Sequence, residues 1–146
     1  MVNLGETGRI LLAEDDDDDV FLFEQAMLEI NLKFDLILAK NGMQVIDILT
    51  ESQDFDIVFL DINMPLKNGL QCLLEIPSIP NFNQIPVICL STSNDKTIIS
   101  KVKELGGSGY ITKPISYNKY INVLKDVLML NKKHSLKNDF FLFGGV

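Results

Sequence analysis

The sequence predicts an α/β fold in which a doubly wound parallel sheet of five strands alternates with five helices. Three observations favour this fold class. Short apolar runs, of the type that is buried on both faces of a parallel sheet, recur along the chain. Between them lie segments with apolar residues three and four positions apart, which is the period of an amphipathic helix. The connections are short, so each helix is expected to return the chain to the same sheet.

Length and composition exclude several classes of protein. The 146 residues suffice for one domain, and 47% hydrophobic with 23% charged residues is typical of a soluble globular chain. No apolar run approaches the roughly 20 residues of a membrane span, and residues 1–9 lack a secretory signal, so we expect a cytoplasmic protein. The net charge of −7 argues against direct nucleic-acid binding and suits a pocket for a divalent cation. Cys72 and Cys89 lack metal-site spacing and are predicted to be reduced core residues.

The first predicted strand is Arg9–Ala13, and it leads directly into Glu14 and Asp15. The acidic run continues through Asp16 to Asp19, where carboxylates favour the positive N-terminus of a helix. We therefore interpret Asp16 to Asp19 as the cap and the solvated first turn of the first helix. The apolar stripe of this helix is predicted to contain Leu22, Phe23, Ala26, Met27 and Ile30.

The third predicted strand is the apolar run Ile57–Leu60, which ends abruptly at Asp61. In open α/β sheets, ligands bind in the crevice beyond the carboxyl ends of the strands, so an acid at this position is a candidate for chemistry. Taken alone, Asp61 could equally well begin a turn. A short helix follows, and Pro77 is predicted to stop it.

The other predicted elements continue the alternation. The fourth strand, 86–90, is followed by Ser91, and the fifth strand, 110–112, is followed by Lys113. The remaining elements are a second strand at 34–39 and helices at 44–51, 69–76, 95–105 and 117–130.

Parallel strands would bring five polar side chains to one rim of the sheet. These are Glu14 and Asp15 from the first strand, Asp61 from the third, Ser91 from the fourth and Lys113 from the fifth. Two carboxylates about 4 Å apart repel by roughly 4 kcal/mol at an effective dielectric constant near 20, so three acids need compensating positive charge. A divalent cation and the ammonium of the lysine would supply it. A few hard oxygen ligands fit Mg²⁺ better than Ca²⁺ or zinc.

A carboxylate beside a metal ion and a lysine is equipped to attack a phosphoryl group, because this reaction depends on positioning and on charge neutralisation. Asp61 would then carry the phosphoryl group, and Lys113 and the Ser91 hydroxyl would contact its oxygens. Asn63 stands where an aspartyl-phosphate hydrolase would need a second aspartate as general acid–base. The phosphorylated state is therefore expected to persist, which suits a signal better than a turnover step.

Four motifs, in this order and at these spacings, resemble the receiver domain of two-component response regulators. They are Ile-Leu-Leu-Ala-Glu14-Asp15, Leu-Asp61-Ile-Asn-Met-Pro65, Leu-Ser91 and Gly-Tyr110-Ile-Thr-Lys113-Pro114. The resemblance covers about residues 8–130 and implies a flavodoxin-like fold with strand order 2-1-3-4-5. It also implies a phosphoacceptor signalling module and not a conventional enzyme.

Carried over residue by residue, the resemblance implies that Asp61 accepts phosphate from a histidine kinase or a phosphotransfer protein. Asp15, Asp61 and the main-chain carbonyl of Asn63 would hold Mg²⁺, and Glu14 would assist through water. The glutamate at position 14 is a departure from the commonest pattern of the family.

The resemblance further implies that Ser91 and Tyr110 form a switch pair and that Lys113-Pro114 contains a cis peptide bond. The face formed by the fourth helix, the fifth strand and the fifth helix would be the surface for a partner or a homodimer. Serine at position 91 and the early stop at Pro77 are further departures, and the second affects the surface between helices three and four.

About 16 residues, 131–146, follow the last predicted helix, too few for a DNA-binding effector domain. We therefore expect a stand-alone receiver that signals by binding another protein. The aromatic run Phe140–Phe143 is predicted to dock on its own domain or on a second molecule, the alternative being an unfolded end. Two other functions stay open: a slow phosphatase of the aspartyl-phosphate type and a receiver-like scaffold that is never phosphorylated.

Overall fold

A six-stranded sheet forms the centre of the computed structural model, which describes residues 8–31, 33–82, 84–114, 116–132 and 140–144. The strands are β1 Gly8–Ala13, β2 Phe34–Ala39, β3 Ile57–Asp61, β4 Val87–Ser91, β5 Gly109–Thr112 and β6 Phe141–Gly144. Their order is β2-β1-β3-β4-β5-β6, and every neighbouring pair is parallel. The predicted order of the first five strands is confirmed, and the sheet continues for one strand more.

The helices alternate with the first five strands, as the sequence predicts. Within the described ranges they are α1 Asp17–Ile30, α2 Gly42–Glu51, α3 Gly69–Glu75, α4 Lys96–Glu104 and α5 Tyr117–Lys132. A 3₁₀ turn, Ile76–Ser78, follows α3 and contains Pro77. The early end of α3 therefore lies close to its predicted position, because proline tolerates the first turn of a helix but not its continuation.

The number of strands is a correction to the prediction of five. Residues Phe141–Gly144 lie in the tail, the segment 131–146 that follows the last predicted helix, and they pair with β5 as a sixth strand. Four residues, three of them apolar and one a glycine, are too short for the alternation of apolar and polar residues that identifies a strand from sequence. The aromatic run is predicted to dock on its own domain or on a second molecule, and this pairing corresponds to the first of the two.

Apolar side chains pack on both faces of the sheet, because successive residues of a strand point to opposite sides. Ile10 and Leu12 of β1 lie on one side, in a buried cluster with Phe23 of α1 and Leu124 of α5. Leu11 points to the other side, into a second cluster with residues of α2, α3 and α4. With helices on both faces, the middle of the sheet is dry and its polar groups lie at the ends of the strands.

One detail of the predicted core of α1 is wrong. Phe23, Ala26 and Met27 are buried as predicted, but 40% of Leu22 is exposed and Val20 is buried in its place. Since the helix begins at Asp17, its inward stripe starts one turn later at Val20 and continues at spacings of three and four.

The structure leaves parts of the predicted ends undescribed. Residues 1–7, 133–139 and 145–146 lie outside the described residues, and with them most of the predicted tail. Every helix in the part of the chain that the structure describes is too short or too polar to cross a membrane.

Candidate functional site

A lysine and three carboxylates meet at the carboxyl ends of the strands. The Nζ atom of Lys113, just after β5, lies 2.8 Å from Oε1 of Glu14, 3.2 Å from Oδ2 of Asp19 and 3.3 Å from Oδ2 of Asp61. Glu14 follows β1 and is 2% exposed, and Asp61 ends β3 and is 6% exposed. We call these four residues the acidic rim. The predicted convergence of Glu14, Asp61 and Lys113 is thus present in the structure.

The rim forms part of an open cleft of about 230 Å³. One carboxylate oxygen each from Glu14, Asp19 and Asp61 lies within 4.8 Å of the other two. Such a set of hard oxygen donors suits a divalent cation of the Mg²⁺, Mn²⁺ or Ca²⁺ type. The cleft is lined by Glu14, Asp15, Asp16, Asp19, Asp61, Asn63, Thr92 and Lys113.

The predicted metal ligands are only partly gathered in this tight set. Asp15 lines the cleft but is exposed, and it is not among the three clustered carboxylates. Asn63 also lines the cleft, and its backbone N–H donates to Oδ1 of Asp61 at 2.9 Å. This contact holds the aspartate side chain in place without using its second oxygen, which faces Lys113.

Asp19 is a rim residue that the sequence analysis assigned to solvent. Its neighbour Asp16 is the N-cap of α1, as predicted, and accepts from the backbone N–H groups of Asp18 and Asp19 at 2.8 and 3.3 Å. Asp19 is the third residue of α1, and because helical side chains tilt toward the helix N-terminus, its carboxylate reaches back to the strand end. The position of the N-cap, and not the residue type, was the signal that could have identified it.

Burial and mutual contact shift the protonation of the rim. The pKa of Glu14 is raised to about 8, chiefly by burial and also by its hydrogen bond with Asp61, while Lys113 opposes the rise. For Lys113, burial lowers the pKa, but the hydrogen bond with Glu14 and the charges of the carboxylates outweigh burial and raise it above its usual range. The lysine is therefore a fixed positive charge, whereas Glu14 holds its proton to near-neutral pH.

Ser91 and Tyr110, the predicted switch pair, lie beside the rim on neighbouring strands. Ser91 ends β4, is 2% exposed, and accepts from the N–H of Ser93 at 3.1 Å. Tyr110 is fully buried, and its hydroxyl donates to the carbonyl oxygen of Ser93 at 2.7 Å. Burial raises the pKa of the tyrosine. The ring thus points into the core. Its hydroxyl contacts Ser93, which in turn contacts the Ser91 side chain at the end of β4.

The prediction of a cis peptide bond at Lys113-Pro114 is wrong. This bond is trans, and no cis peptide occurs among the residues that the structure describes. The trans form is the more stable one even before proline, by about 0.5–1 kcal/mol. Lys113 reaches the three carboxylates from this backbone, and its own N–H donates to the carbonyl of Ser91 at 2.8 Å. Pro114 follows the rim and makes none of these contacts.

The loop after Asp61 is held close to the rim by two glycines. An ideal Cβ on Gly69 would lie 2.6 Å from the carbonyl oxygen of Asp61, and one on Gly42 would lie 2.0 Å from that of Lys67. Any side chain at either position would collide with backbone. Within the loop, Leu66 has a φ of 67° and bridges a tight turn in which the N–H of Lys67 donates to Pro65 at 2.7 Å.

Comparisons with known proteins agree with this geometry. The family model of the response regulator receiver domain matches residues 10–125. The two-component response regulator-like protein APRR1 of Arabidopsis thaliana is 32% identical over 143 residues, which is 93% of this chain and 23% of that protein. Response regulator Rcp1 of Synechocystis sp. is 29% identical over 110 residues, 71% of this chain and 75% of the relative. The chain thus spans less than a quarter of the first relative.

Solved structures with the same fold include two response regulators. The phosphorylated cyanobacterial phytochrome response regulator RcpA superposes with a TM-score of 0.78 at 27% identity, covering 88% of this chain and 96% of that one. The Mn²⁺-bound form of Rcp1 superposes with a TM-score of 0.72 at 26% identity, covering 90% and 96%.

Proposed function

The chain belongs to the response regulator receiver domain family, and on that premise we propose that it accepts a phosphoryl group on Asp61 in a reaction that requires Mg²⁺. The donor is the phosphohistidine of a histidine kinase or a phosphotransfer protein. A receiver domain is a signalling module and not a conventional enzyme. The observation that carries the proposal is the contact of Lys113 Nζ with Asp61 and Glu14 on a buried rim.

Asp61 is the best nucleophile among the rim acids. It is nearly buried, its Oδ1 is held by the N–H of Asn63, and its Oδ2 faces the ammonium of Lys113. One carboxylate oxygen attacks phosphorus, the N–P bond to the donor histidine breaks, and the electron pair returns to the imidazole. The carboxylate is then an acyl phosphate. Lys113 stabilises the negative charge on the phosphoryl oxygens through charge-assisted hydrogen bonds.

The oxygen donors of the cleft suit a divalent cation. We assign the metal to Asp15, Asp61 and the carbonyl of Asn63, with Glu14 and Asp19 beside it; the Mn²⁺-bound Rcp1 structure of a relative supports a site of this kind. A bound cation would supply positive charge that the transferred phosphoryl group needs. We propose that Glu14, which lies in the same carboxylate cluster, would assist through water.

The output of the phosphorylated protein is binding to another protein. Ser91 lies on the strand next to Asp61 and is positioned to donate its hydroxyl to a phosphoryl oxygen. Its movement would reach Tyr110 through the turn at Ser93. We propose residues 8–130 as the receiver domain, residues 131–146 as its C-terminal extension, and the α4–β5–α5 face as the surface for a protein partner, in the cytoplasm and without direct contact to nucleic acid.

Intact-mass spectrometry tests this proposal. Incubation with acetyl phosphate and MgCl₂ should add the mass of one phosphoryl group, and EDTA should prevent it. Asp61→Asn should abolish the gain, while Asp35→Asn, which removes an exposed carboxylate on β2, should leave it unchanged. Persistent labelling of Asp61→Asn would move the acceptor elsewhere.

The same reaction separates the two alternatives. A wild-type protein that neither gains mass nor binds beryllofluoride would be a scaffold. Steady release of phosphate from a small phosphate monoester would identify a phosphatase.

A further inference from the structure

Strand β6 covers the edge of β5 with a complete set of strand contacts. Its residues are in register with β5 from the pair Gly109 and Phe141 to the pair Thr112 and Gly144. The N–H of Phe141 donates to the carbonyl of Ser108 at 3.1 Å, just before β5 begins. The backbone edge of β5 is therefore used by a segment from far along the chain.

The side chains of β6 divide between two faces. Phe141 and Phe143 stack with ring centroids 6.0 Å apart and pack against the buried cluster that includes Ile111 and the inward face of α5. Leu142 points to the opposite face and is 64% exposed. Aromatic residues at alternate positions thus attach this strand, and the residue between them contributes little.

The edge of β5 is shaped for a close-lying strand. An ideal Cβ on Gly109 would lie 2.9 Å from the carbonyl oxygen of Phe141 and 3.2 Å from Cε2 of Phe143. A side chain at this position would push β6 away, so the glycine leaves room for the backbone and for one aromatic ring. This is the pattern of strand addition, in which main-chain hydrogen bonds give affinity and pockets for alternate side chains give specificity.

The position of this edge connects it to the acidic rim. β5 contains Tyr110, which is in register with Leu142, and it leads directly into Lys113. β6 therefore lies along the strand whose end contacts Asp61, on the face that we assign to a protein partner.

We propose that the β5 edge is a docking site for an extended partner segment with aromatic residues at alternate positions, and that β6 is its intramolecular competitor. The proposal extends the proposed function by naming the surface for the protein partner and the kind of segment that it binds. A partner binds by displacing β6. Because β6 has only four residues, few contacts with β5 are lost in this exchange.

Competition makes a quantitative expectation. A segment tethered to its own site has an effective concentration of about millimolar, so β6 outcompetes a free peptide at lower concentration. If β6 occupies the edge for nine-tenths of the time or more, the apparent affinity of a free peptide falls by about tenfold or more. Removing the aromatic contacts of β6 restores that affinity.

The test uses a fluorescein-labelled peptide with the sequence of residues 139–145 and two added N-terminal lysines for solubility. Binding is measured by fluorescence anisotropy with unphosphorylated full-length protein, and the site is located from amide shifts of Gly109–Thr112. We expect the double variant Phe141→Ala/Phe143→Ala to bind at least about tenfold more tightly than wild type. The matched control Leu142→Ala should bind like wild type. Equal affinity for wild type and double variant, or shifts away from β5, would overturn the proposal.

A locked protein provides a second measurement that does not depend on the stability of the double variant. Thr112 and Gly144 are register partners, so a disulfide in Thr112→Cys/Gly144→Cys holds β6 in place. The oxidised protein should not bind the peptide, and reduction should restore wild-type binding. Binding by the oxidised protein equal to that of wild type would contradict displacement.

The oligomeric state distinguishes a second copy from a foreign partner. Light scattering across concentration should give a monomer for wild type and for the double variant. A wild-type dimer that becomes monomeric in the double variant would mean that β6 pairs between copies, which overturns the intramolecular arrangement. The peptide-binding test contains no phosphate donor. Its outcome therefore does not depend on whether Asp61 accepts phosphate.

Discussion

Strand β5 takes part in two contacts of opposite character. At its carboxyl end, Lys113 lies among three carboxylates, two of them nearly buried. Along its edge, β6 adds main-chain hydrogen bonds and two stacked aromatic rings. The first contact depends on charge and so on pH and metal, whereas the second depends on apolar burial and does not. Stability and ligand response can therefore be separated on a single strand.

Removing the rim lysine is the largest expected perturbation. Lys113→Met keeps the volume but leaves the buried carboxylates without their cation, and breaking a buried ion pair from one side costs about 3–5 kcal/mol. Urea denaturation in EDTA should show this loss, and saturating MgCl₂ should reduce it. Calorimetric Mg²⁺ affinity should not fall, since the variant removes a positive charge beside the metal.

The matched control is an ion pair in water. Lys40 pairs with Asp17 at the surface, where the side chains are 42% and 89% exposed. Lys40→Met should change stability by less than about 1 kcal/mol in either buffer. Equal losses for the two lysine variants would mean that burial adds nothing to the rim.

The pH dependence of stability should distinguish the rim from the edge. The pKa of Glu14 rises from its ordinary value of 4.5 to about 8 in the folded protein. Below pH 4.5 the folded and unfolded states are both protonated, and the full stability is present. Between 4.5 and 8 only the unfolded state ionises, so stability falls by about 1.4 kcal/mol for each pH unit in this window.

Denaturation in EDTA between pH 4 and 9 measures this slope. Glu14→Gln, which cannot ionise, should flatten the curve, and Phe143→Ala should shift it downward without changing its slope. Over the same window Mg²⁺ should bind more tightly as the pH rises, because the cation competes with the proton. A Glu14→Gln curve with the wild-type slope would assign the titration to another group.

Truncating an aromatic side chain of β6 should reduce stability less than removing Lys113 or ionising Glu14. Phe143 is only partly buried against the α5 cluster, so Phe143→Ala should cost about 1–2 kcal/mol, less than the about 3–5 kcal/mol for a phenylalanine in a closed core. Leu142→Ala, one residue away and 64% exposed, should stay within about 0.5 kcal/mol. Thermal unfolding with and without MgCl₂ should give the same difference for Phe143→Ala. A loss of stability in Phe143→Ala that depends on MgCl₂ would mean that the acidic rim and the β5 edge are energetically coupled.

Residues at the strand ends could be predicted because parallel strands share one rim. Asp61 and Lys113 each follow an apolar run, so the order of elements alone brings them together. Asp19 could not be separated from its acidic neighbours by residue type, since only the start of α1 decides which carboxylate returns to the rim. The cis bond at Lys113-Pro114 is expected only from the resemblance, whereas the trans bond follows the local preference. The burial of Tyr110 depends on tertiary packing, which local sequence does not encode.

The sixth strand shows a different limit of sequence reasoning. The apolar run at Phe140–Phe143 indicated burial, but burial does not specify a partner. Main-chain pairing with β5 depends on the open edge and on the missing side chain of Gly109, a residue about 30 positions earlier in the chain. The side chains of the run therefore indicate that it is buried but not which strand it pairs with.

The two glycines beside the loop that follows Asp61 have a mechanical consequence. Gly42 and Gly69 let two stretches of backbone pack in direct contact on that side, so the loop has little room to move. On the other side of Asp61 the neighbours are a hydroxyl and the end of a flexible lysine chain. The surroundings of this carboxylate are therefore stiff in one direction and compliant in the other. A ligand that enters the cleft should therefore displace its surroundings more readily on the side of β4 and β5 than on the side of the loop.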